Sequence, residues 1–285
     1  MVDKCILIVA KELEKRLHDP DWVIVDCRFD LADREAGRRE FEAGHIPGSV
    51  HLDLERDLAG PVRPGCGRHP LPDVRRLETR LGELGIGNDR TVAVYDDANG
   101  AIAARAWWVL RWLGHDRVRL LDGGLARWQS LGLPIEAGES RPVPRVFEAT
   151  PRPELVIATD EIAATPDAAA DLNLLDARDG RRFRGEFEPI DPVAGHIPGS
   201  RNLPFTSFVN ADGTWRSLGE RKAQLLEALG GDPEADWCVM CGSGVTACHL
   251  AISGVEAGLK EPRLYVGSWS EWIRDSARPV ATGDA

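Results

Sequence analysis

The sequence predicts an α/β protein built from two tandem domains, each a mainly parallel sheet flanked by helices, and three observations carry that prediction. The first is internal repetition. Val23-Ile24-Val25-Asp26-Cys27-Arg28 is matched by Asn173-Leu174-Leu175-Asp176-Ala177-Arg178, and Gly44-His45-Ile46-Pro47-Gly48-Ser49 by Gly195-His196-Ile197-Pro198-Gly199-Ser200. Gly123-Gly124-Leu125-Ala126-Arg127-Trp128 is matched by Gly267-Ser268-Trp269-Ser270-Glu271-Trp272. Three matches in one order and at nearly one displacement indicate a duplication. The second observation is the alternation of short apolar runs with helix-like stretches, which implies right-handed crossovers between parallel strands. The third is a connector holding Pro134, Pro142, Pro144 and Pro151, with Pro153 just beyond; proline at this density favours an extended chain. The boundaries that follow are a first domain at 1–133, a linker at 134–152 and a second domain at 153–285.

Taken in order, Cys5–Ala10 is an apolar run too short for a signal-peptide core and without a small-residue cleavage site, so it reads as a buried strand. Thr91–Tyr95 is strand-like and precedes the amphipathic Ala101–Leu113; Val118–Leu121 is strand-like again, and Leu125–Ser130 begins another helix. In the second copy Trp237–Met240 is the strand and Val245–Ala257 the helix. Trp107, Trp108 and Trp112 have core spacing and do not suggest a stacking surface for nucleic acid. Ligands in such sheets bind beyond the carboxyl ends of the strands, and Cys241 stands directly after its strand.

Composition narrows the function classes. Hydrophobic residues make up 43% and charged residues 28% of the 285 positions, the profile of a soluble globular protein. The net charge of −11 argues against a nucleic-acid or anionic-membrane partner. It leaves a small anion open, because a few amides or one arginine can hold an anion inside an acidic protein. No apolar run approaches the roughly 20 residues that span a bilayer. Six cysteines without an export signal are expected to be reduced, in a cytoplasmic protein. Cys238-Val-Met-Cys241 is formally a C-x-x-C, the spacing of a redox pair or half a zinc site. On a strand, however, residues three apart point to opposite faces. No second C-x-x-C or paired-histidine motif exists to complete a metal site, so neither a metal nor a cofactor is expected.

The loop Cys241-Gly242-Ser243-Gly244-Val245-Thr246 leaves a strand and opens a helix. Its small residues let successive N–H groups turn inward as an anion-binding nest, and the helix start adds about half a positive charge. Such a cup favours a thiolate over a thiol and would hold a persulfide anion equally well. The plainer reading of Cys241 is a buried small hydrophobe; the glycines weigh against it.

Together, the paired D-x-R and G-H-I-P-G motifs, the Cys241–Ala247 loop and Leu121-Asp122-Gly123-Gly124 resemble the tandem rhodanese-type sulfurtransferases, and the resemblance covers essentially the whole chain. It implies two rhodanese-like domains and transfer of sulfur through a Cys241 persulfide. A phosphatase on the same fold would need an arginine near the end of the loop, and Cys241–Cys248 contains no basic residue. Thiosulfate-specific relatives carry basic residues right after the cysteine, whereas Gly242 and Ser243 resemble the C-G-S-G-V-T pattern of 3-mercaptopyruvate sulfurtransferases. In those enzymes the loop serine, here Ser243, works with a histidine and an aspartate whose matching positions are His69 and Asp53. Such a relay moves the substrate thiol proton. A backbone-bonded loop histidine and a turn-capping aspartate are the alternative readings.

The resemblance also makes Arg182, in Arg182-Phe183-Arg184-Gly185, the residue that binds the donor's anionic end, since its fork matches a carboxylate. Gly242, Gly244, Val245 and Thr246 would complete the substrate cup. Animal mercaptopyruvate enzymes place another arginine several residues on. Here Glu186–Asp191 contains no basic residue, and Arg181 and Arg184 are either partial substitutes or solvated surface groups. His45 and His196 recur in both copies and read as fold determinants. Asp176 is expected to support the cysteine loop through backbone hydrogen bonds, with Asp26 doing the same in the first copy. Aligning Val94-Tyr95-Asp96 with Val239-Met240-Cys241 puts Asp96 at the nucleophile position. There a carboxylate cannot accept sulfur and is expected to fit poorly in an anion cup. The first domain is therefore expected to be inactive alone and, as the resemblance implies, to contribute one wall of the site.

The implied reaction moves a sulfane sulfur from 3-mercaptopyruvate, a small anionic donor, through Cys241 to a thiol acceptor such as thioredoxin, or to cyanide. Thiosulfate sulfurtransferase activity is the alternative, and a non-turnover rhodanese-like sulfur-relay or binding module the second alternative.

Overall fold

In the computed structural model, which describes residues 5–284, strands form in both halves of the chain. β1 (Leu7–Ile8), β2 (Trp22–Asp26), β3 (Val50–His51), β4 (Thr91–Tyr95) and β5 (Val118–Leu121) make one sheet in the order β1-β5-β4-β2-β3. β6 (Leu174–Asp176), β7 (Arg201–Asn202), β8 (Cys238–Met240) and β9 (Arg263–Leu264) make a second in the order β7-β6-β8-β9. Every pairing is parallel. The second order repeats β3-β2-β4-β5, and a parallel bridge from Val156 to Leu264 stands where β1 joins the first sheet. Val23–Val25, Val92–Val94 and Cys238–Met240 are buried without alternation, as strands covered on both faces require. The tryptophans of the helix Ala103–Trp112 are core residues. No helix among the described residues is long and apolar enough to cross a membrane.

The chain divides into two units, one of Met1–Gly60, Leu71–Arg152 and Val209–Trp215, the other of Pro61–Pro70, Pro153–Phe208 and Arg216–Ala285. The division departs from the expected boundaries at the linker and at two exchanged segments, 61–70 and 209–215. Residues 134–152 are extended, but they run along the first unit: Arg145 donates to the Gly82 carbonyl at 2.9 Å, Thr150 to Leu113 at 2.9 Å and Arg152 to Trp112 at 2.8 Å. The prolines set the extension, while the remaining amides take the carbonyls left over where two helices end. Residues 61–70, inside the first copy by sequence, belong to the second unit.

The repeated motifs form one device. In the first copy Arg28 grips Asp26 through Nε and Nη2 and also donates from Nη2 to the Gly44 carbonyl at 2.8 Å. In the second, Arg178 grips Asp176 and reaches Gly195 at 2.8 Å. The carboxylates are fully buried, so the D-x-R arginine neutralises the strand end and holds the loop that begins G-H-I-P-G. The following histidine stacks on an aromatic ring, His45 on Phe41 at 3.9 Å and His196 on Phe183 at 3.8 Å. Each Nδ1 meets a backbone carbonyl, of Phe41 or Phe183. The two histidines are structural. Asp176 does not support the cysteine loop as expected: its carboxylate is taken up by the Arg178 amide and guanidinium.

Removing one member of such a pair strands a buried charge. Arg28→Ala is expected to destabilise the protein by about 3–5 kcal/mol, read from the urea midpoint. An unchanged midpoint would show that the pair does not hold the fold together.

Candidate functional site

Cys241 is buried and follows β8 directly; the loop after it leads into the helix Ala247–Glu256. The start of another helix, Ser268–Trp272, holds this loop. The Cys241 amide donates to Ser268 Oγ at 3.1 Å, and Ser268 Oγ donates in turn to the Tyr265 carbonyl at 2.7 Å. Trp269 and Ser270 donate their amides to the Cys241 and Gly242 carbonyls at 3.0 and 2.9 Å. With those groups occupied, the amides of Gly242, Ser243, Val245 and Thr246 donate to no other backbone group among the described residues. Gly244 has a φ of +72°, and a Cβ on it would lie 2.5 Å from the Val266 carbonyl oxygen. Two independent constraints therefore require glycine there.

The first copy shows what such a loop binds. Asp96 accepts from the amides of Ala98 and Gly100 through Oδ1, and from Ile102 and Ala103 through Oδ2, all within 2.9 Å. The expectation that a carboxylate fits poorly here is overturned. The loop amides converge on an anion, and in this copy the anion is the protein's own. Burial pushes the Asp96 carboxyl above its ordinary range, against the pull of those four amides.

Residues 61–70 bring in the histidine. The Gly67 amide donates to Glu271 Oε2 at 3.2 Å and the Arg68 amide to Ser270 Oγ at 3.0 Å. So held, His69 places Nδ1 2.8 Å from Ser243 Oγ. The helix Ser268–Trp272 thus fixes the nucleophile loop on one side and the histidine segment on the other. Sequence reasoning missed this, although a signal was present. Where the first copy has Gly124, Ala126 and Arg127, the second has Ser268, Ser270 and Glu271. Ser268 even keeps the left-handed backbone that glycine takes in the first copy, φ +52° against +54°, a strained choice for a residue with a side chain. Asp53 lies in the first unit and accepts from the Glu55 and Arg56 amides at 2.8 Å, a turn cap.

Arg182 is beside the loop, its guanidinium nitrogens 3.6 and 3.8 Å from where a Gly242 Cβ would be. It pairs with Glu188 at 2.7 Å and Asp191 at 3.2 Å. Arg68, also missed from sequence, comes within 3.0 Å of the same Gly242 point and pairs with Asp191. Burial raises the Asp191 carboxyl, with Arg68 opposing the shift. Burial would raise Glu188 too, but Arg182 and the Asp191 and Ile190 amides outweigh it and hold that carboxyl low. The loop is uncharged, as read from sequence, yet its surroundings are not. Arg178, within electrostatic range of Cys241, lies 4.6 Å from the Trp269 ring. Arg181 stacks on Phe187 and Arg184 pairs with Glu186, both at the surface.

The other thiols lack this setting. Cys238 packs in the core with Met240, Trp269 and Trp272, and burial pushes its thiol up to about 11, against nearby Arg263. Burial and Asp26 likewise push Cys27 well above the ordinary range.

Gly244→Ala is expected to destabilise the protein by about 2–4 kcal/mol, from the left-handed backbone and the overlap with Val266. Gly231→Ala, left-handed but with open space around it, is expected to cost only about 1–2 kcal/mol. Equal urea midpoints for the two variants would show that the Val266 contact does not constrain the loop.

The profile of the rhodanese-like domain matches residues 9–131 and again 159–275. Over 280 residues the chain is 49% identical to the probable 3-mercaptopyruvate sulfurtransferase of Pseudomonas aeruginosa, covering 98% of each protein. It is 41% identical, again over 98% of each, to a putative thiosulfate sulfurtransferase of Mycobacterium tuberculosis. The crystal structure of SseA from Escherichia coli, described as a 3-mercaptopyruvate sulfotransferase, superposes with a TM-score of 0.81 at 32% identity, covering 93% of this chain and 99% of that one. With a cysteine-bearing loop in one copy and a self-filled loop in the other, this chain belongs to the rhodanese family as a tandem-domain member.

Proposed function

We propose that the chain is a sulfurtransferase that takes sulfur from 3-mercaptopyruvate onto Cys241 and passes it to a thiol, thioredoxin or cyanide. The carrying observation is the 2.8 Å contact between His69 and Ser243, a residue two positions after Cys241. The Cys241 thiolate attacks the donor sulfur, an S–S bond forms, and the C–S bond breaks with its electron pair leaving as the pyruvate enolate. The proton on the donor sulfur passes through Ser243 and His69 to the enolate carbon, giving pyruvate and Cys241–S–S⁻. Asp53 is proposed as the relay's carboxylate on the family resemblance alone. The loop amides hold the persulfide as the first copy's amides hold Asp96, and the acceptor then attacks the outer sulfur and frees the Cys241 thiolate. Asp96 makes the first copy inert toward sulfur, since its carboxylate occupies the amides a persulfide would need. Thiosulfate is the second reading, favoured by the two guanidiniums beside Gly242.

Incubation with donor is expected to add one sulfur, about 32 Da, to wild type and to Cys238→Ala and Cys248→Ala, but not to Cys241→Ser. Finding the added sulfur on another cysteine would refute the assignment. Ser243→Ala is expected to slow mercaptopyruvate turnover by about 10²-fold or more and thiosulfate turnover far less, because thiosulfate has no thiol proton to move. Equal losses on both donors would remove Ser243 from the proton path.

A further inference from the structure

A polar chain runs from the core of the second unit to the histidine segment. The Tyr265 hydroxyl lies 2.9 Å from Thr159 Oγ1, and Thr159 donates its single proton to Glu271 Oε1. Tyr265 is therefore the donor to Thr159, and burial, which raises its hydroxyl above the ordinary range, keeps that proton in place. The other carboxylate oxygen, Glu271 Oε2, accepts the Gly67 amide at 3.2 Å. The chain is directed, hydroxyl to hydroxyl to carboxylate, and it ends on the backbone two residues before His69. The contact there leaves no slack. A Cβ on Gly67 would lie 2.4 Å from the carbonyl oxygen of Gly267, the residue before the helix that carries Glu271.

The first copy closes the same arrangement without these groups. Its Leu7–Leu120 pairing corresponds to the Val156–Leu264 bridge of the second. That register puts Ala10 at the place of Thr159 and Leu121 at the place of Tyr265, and Arg127 stands where the second copy has Glu271. Ala10 and Leu121 belong to one buried apolar cluster. Thr159 and Tyr265 are just as buried, where polar groups carry a desolvation cost that apolar residues avoid. A chain that the fold does without in one copy, and that accompanies Cys241 and Ser243 in the other, has a task besides folding.

We propose that Glu271 is a positioning residue for the proton step, its carboxylate fixed by Thr159 and Tyr265 so that the Gly67 amide, and through it His69 Nδ1, is held 2.8 Å from Ser243 Oγ. The proposal rests on the sulfurtransferase reading and adds to it. Glu271 touches the histidine segment and acts on the reaction through His69. Proton transfer is lost quickly once donor and acceptor leave hydrogen-bond reach, whereas attack of the Cys241 thiolate on sulfur does not pass through His69. The three residues therefore serve a donor that has a proton to move, and matter far less to one that has none.

The test uses the full chain, with kcat and KM measured for mercaptopyruvate and for thiosulfate and cyanide as acceptor. Glu271→Ala is expected to lower kcat for mercaptopyruvate by about tenfold or more, with KM nearly unchanged, and to lower thiosulfate turnover by no more than about twofold. Glu271→Gln keeps an acceptor for the Gly67 amide and is expected to recover most of that loss. Ser243→Ala closes the cycle: in its background Glu271→Ala is expected to cost mercaptopyruvate turnover less than about twofold, because both act on one step. A merely structural role would subtract its full loss again. Thr159→Val combined with Tyr265→Phe replaces both hydroxyls by apolar groups of the same shape. It is expected to leave the urea midpoint at or above that of wild type while still lowering kcat for mercaptopyruvate, and it carries the same cycle if Glu271→Ala does not fold. Equal losses on both donors, additivity with Ser243→Ala, or wild-type mercaptopyruvate turnover in either variant would overturn the proposal. Failure of wild-type Cys241 to gain sulfur from mercaptopyruvate, or undiminished turnover in Ser243→Ala alone, would instead overturn the underlying reading, and is seen without any variant at 159, 265 or 271.

Discussion

A buried carboxylate bound to a buried guanidinium stands at the end of the strand next to the central one in each copy, and much else depends on it. Asp26 and Asp176 sit at a place where a charge alone would cost several kcal/mol. Arg28 and Arg178 remove that cost and use their remaining donor on the carbonyl of Gly44 or Gly195. The loop they anchor carries the stacked histidine and runs into the next strand, so the sheet's outer pairing is set by the same contact. In the second copy the arginine also reaches Glu188 and lies against Trp269, whose amide holds the Cys241 carbonyl. A repeated structural pair thereby borders the cysteine loop in one copy and only the fold in the other.

The two loops after β4 and β8 separate what the backbone does from what the side chain does. In both, a chain leaving a parallel strand passes through a short loop before a helix begins, and in the first copy that loop turns its amides onto Asp96. With Asp96 the amides are spent on an internal carboxylate, which caps the following helix and makes the first copy a stable, closed version of the arrangement. With Cys241 the side chain is a weaker acceptor, and the Gly242, Ser243, Val245 and Thr246 amides donate to no other backbone group among the described residues. The two loops share the course from strand to helix and differ in the side chain at its start, the Asp96 carboxylate against the Cys241 thiol.

The duplication, the parallel strands and Cys241 were legible in the sequence because each depends on local order: apolar runs, turn glycines, spacing within one loop. Thr91–Tyr95 and Val118–Leu121 could be bounded to the residue for this reason. Arg68 and Asp191 were not legible. Their meaning lies in meeting each other and Gly242 across long separations, and nothing in Gly67-Arg68-His69 or Ile190-Asp191-Pro192 marks a partner. Asp176 was given the wrong task for a related reason. A buried aspartate beside a functional loop invites that pairing, but the arginine two residues on is closer and better shaped. The role of Ser268, Ser270 and Glu271 was half legible, as departures from the first copy's Gly124, Ala126 and Arg127 whose purpose only the fold supplies.

Residues 61–70 lie within the first copy's stretch of chain but take their structural place in the second unit, as 209–215 do in the first. This exchange changes what the duplication means for inheritance. Two merely concatenated domains could be shuffled, lost or borrowed separately by recombination at the join. Here a fragment starting at 153 would keep Cys241 and forfeit both His69 and Arg68, while a fragment ending at 133 would carry those residues without the Ser243 and Asp191 they contact. Once each copy came to hold a piece of the other, the pair became a single unit of selection. Whatever its own loop holds, the first copy's stretch of chain carries a segment that packs in the second unit.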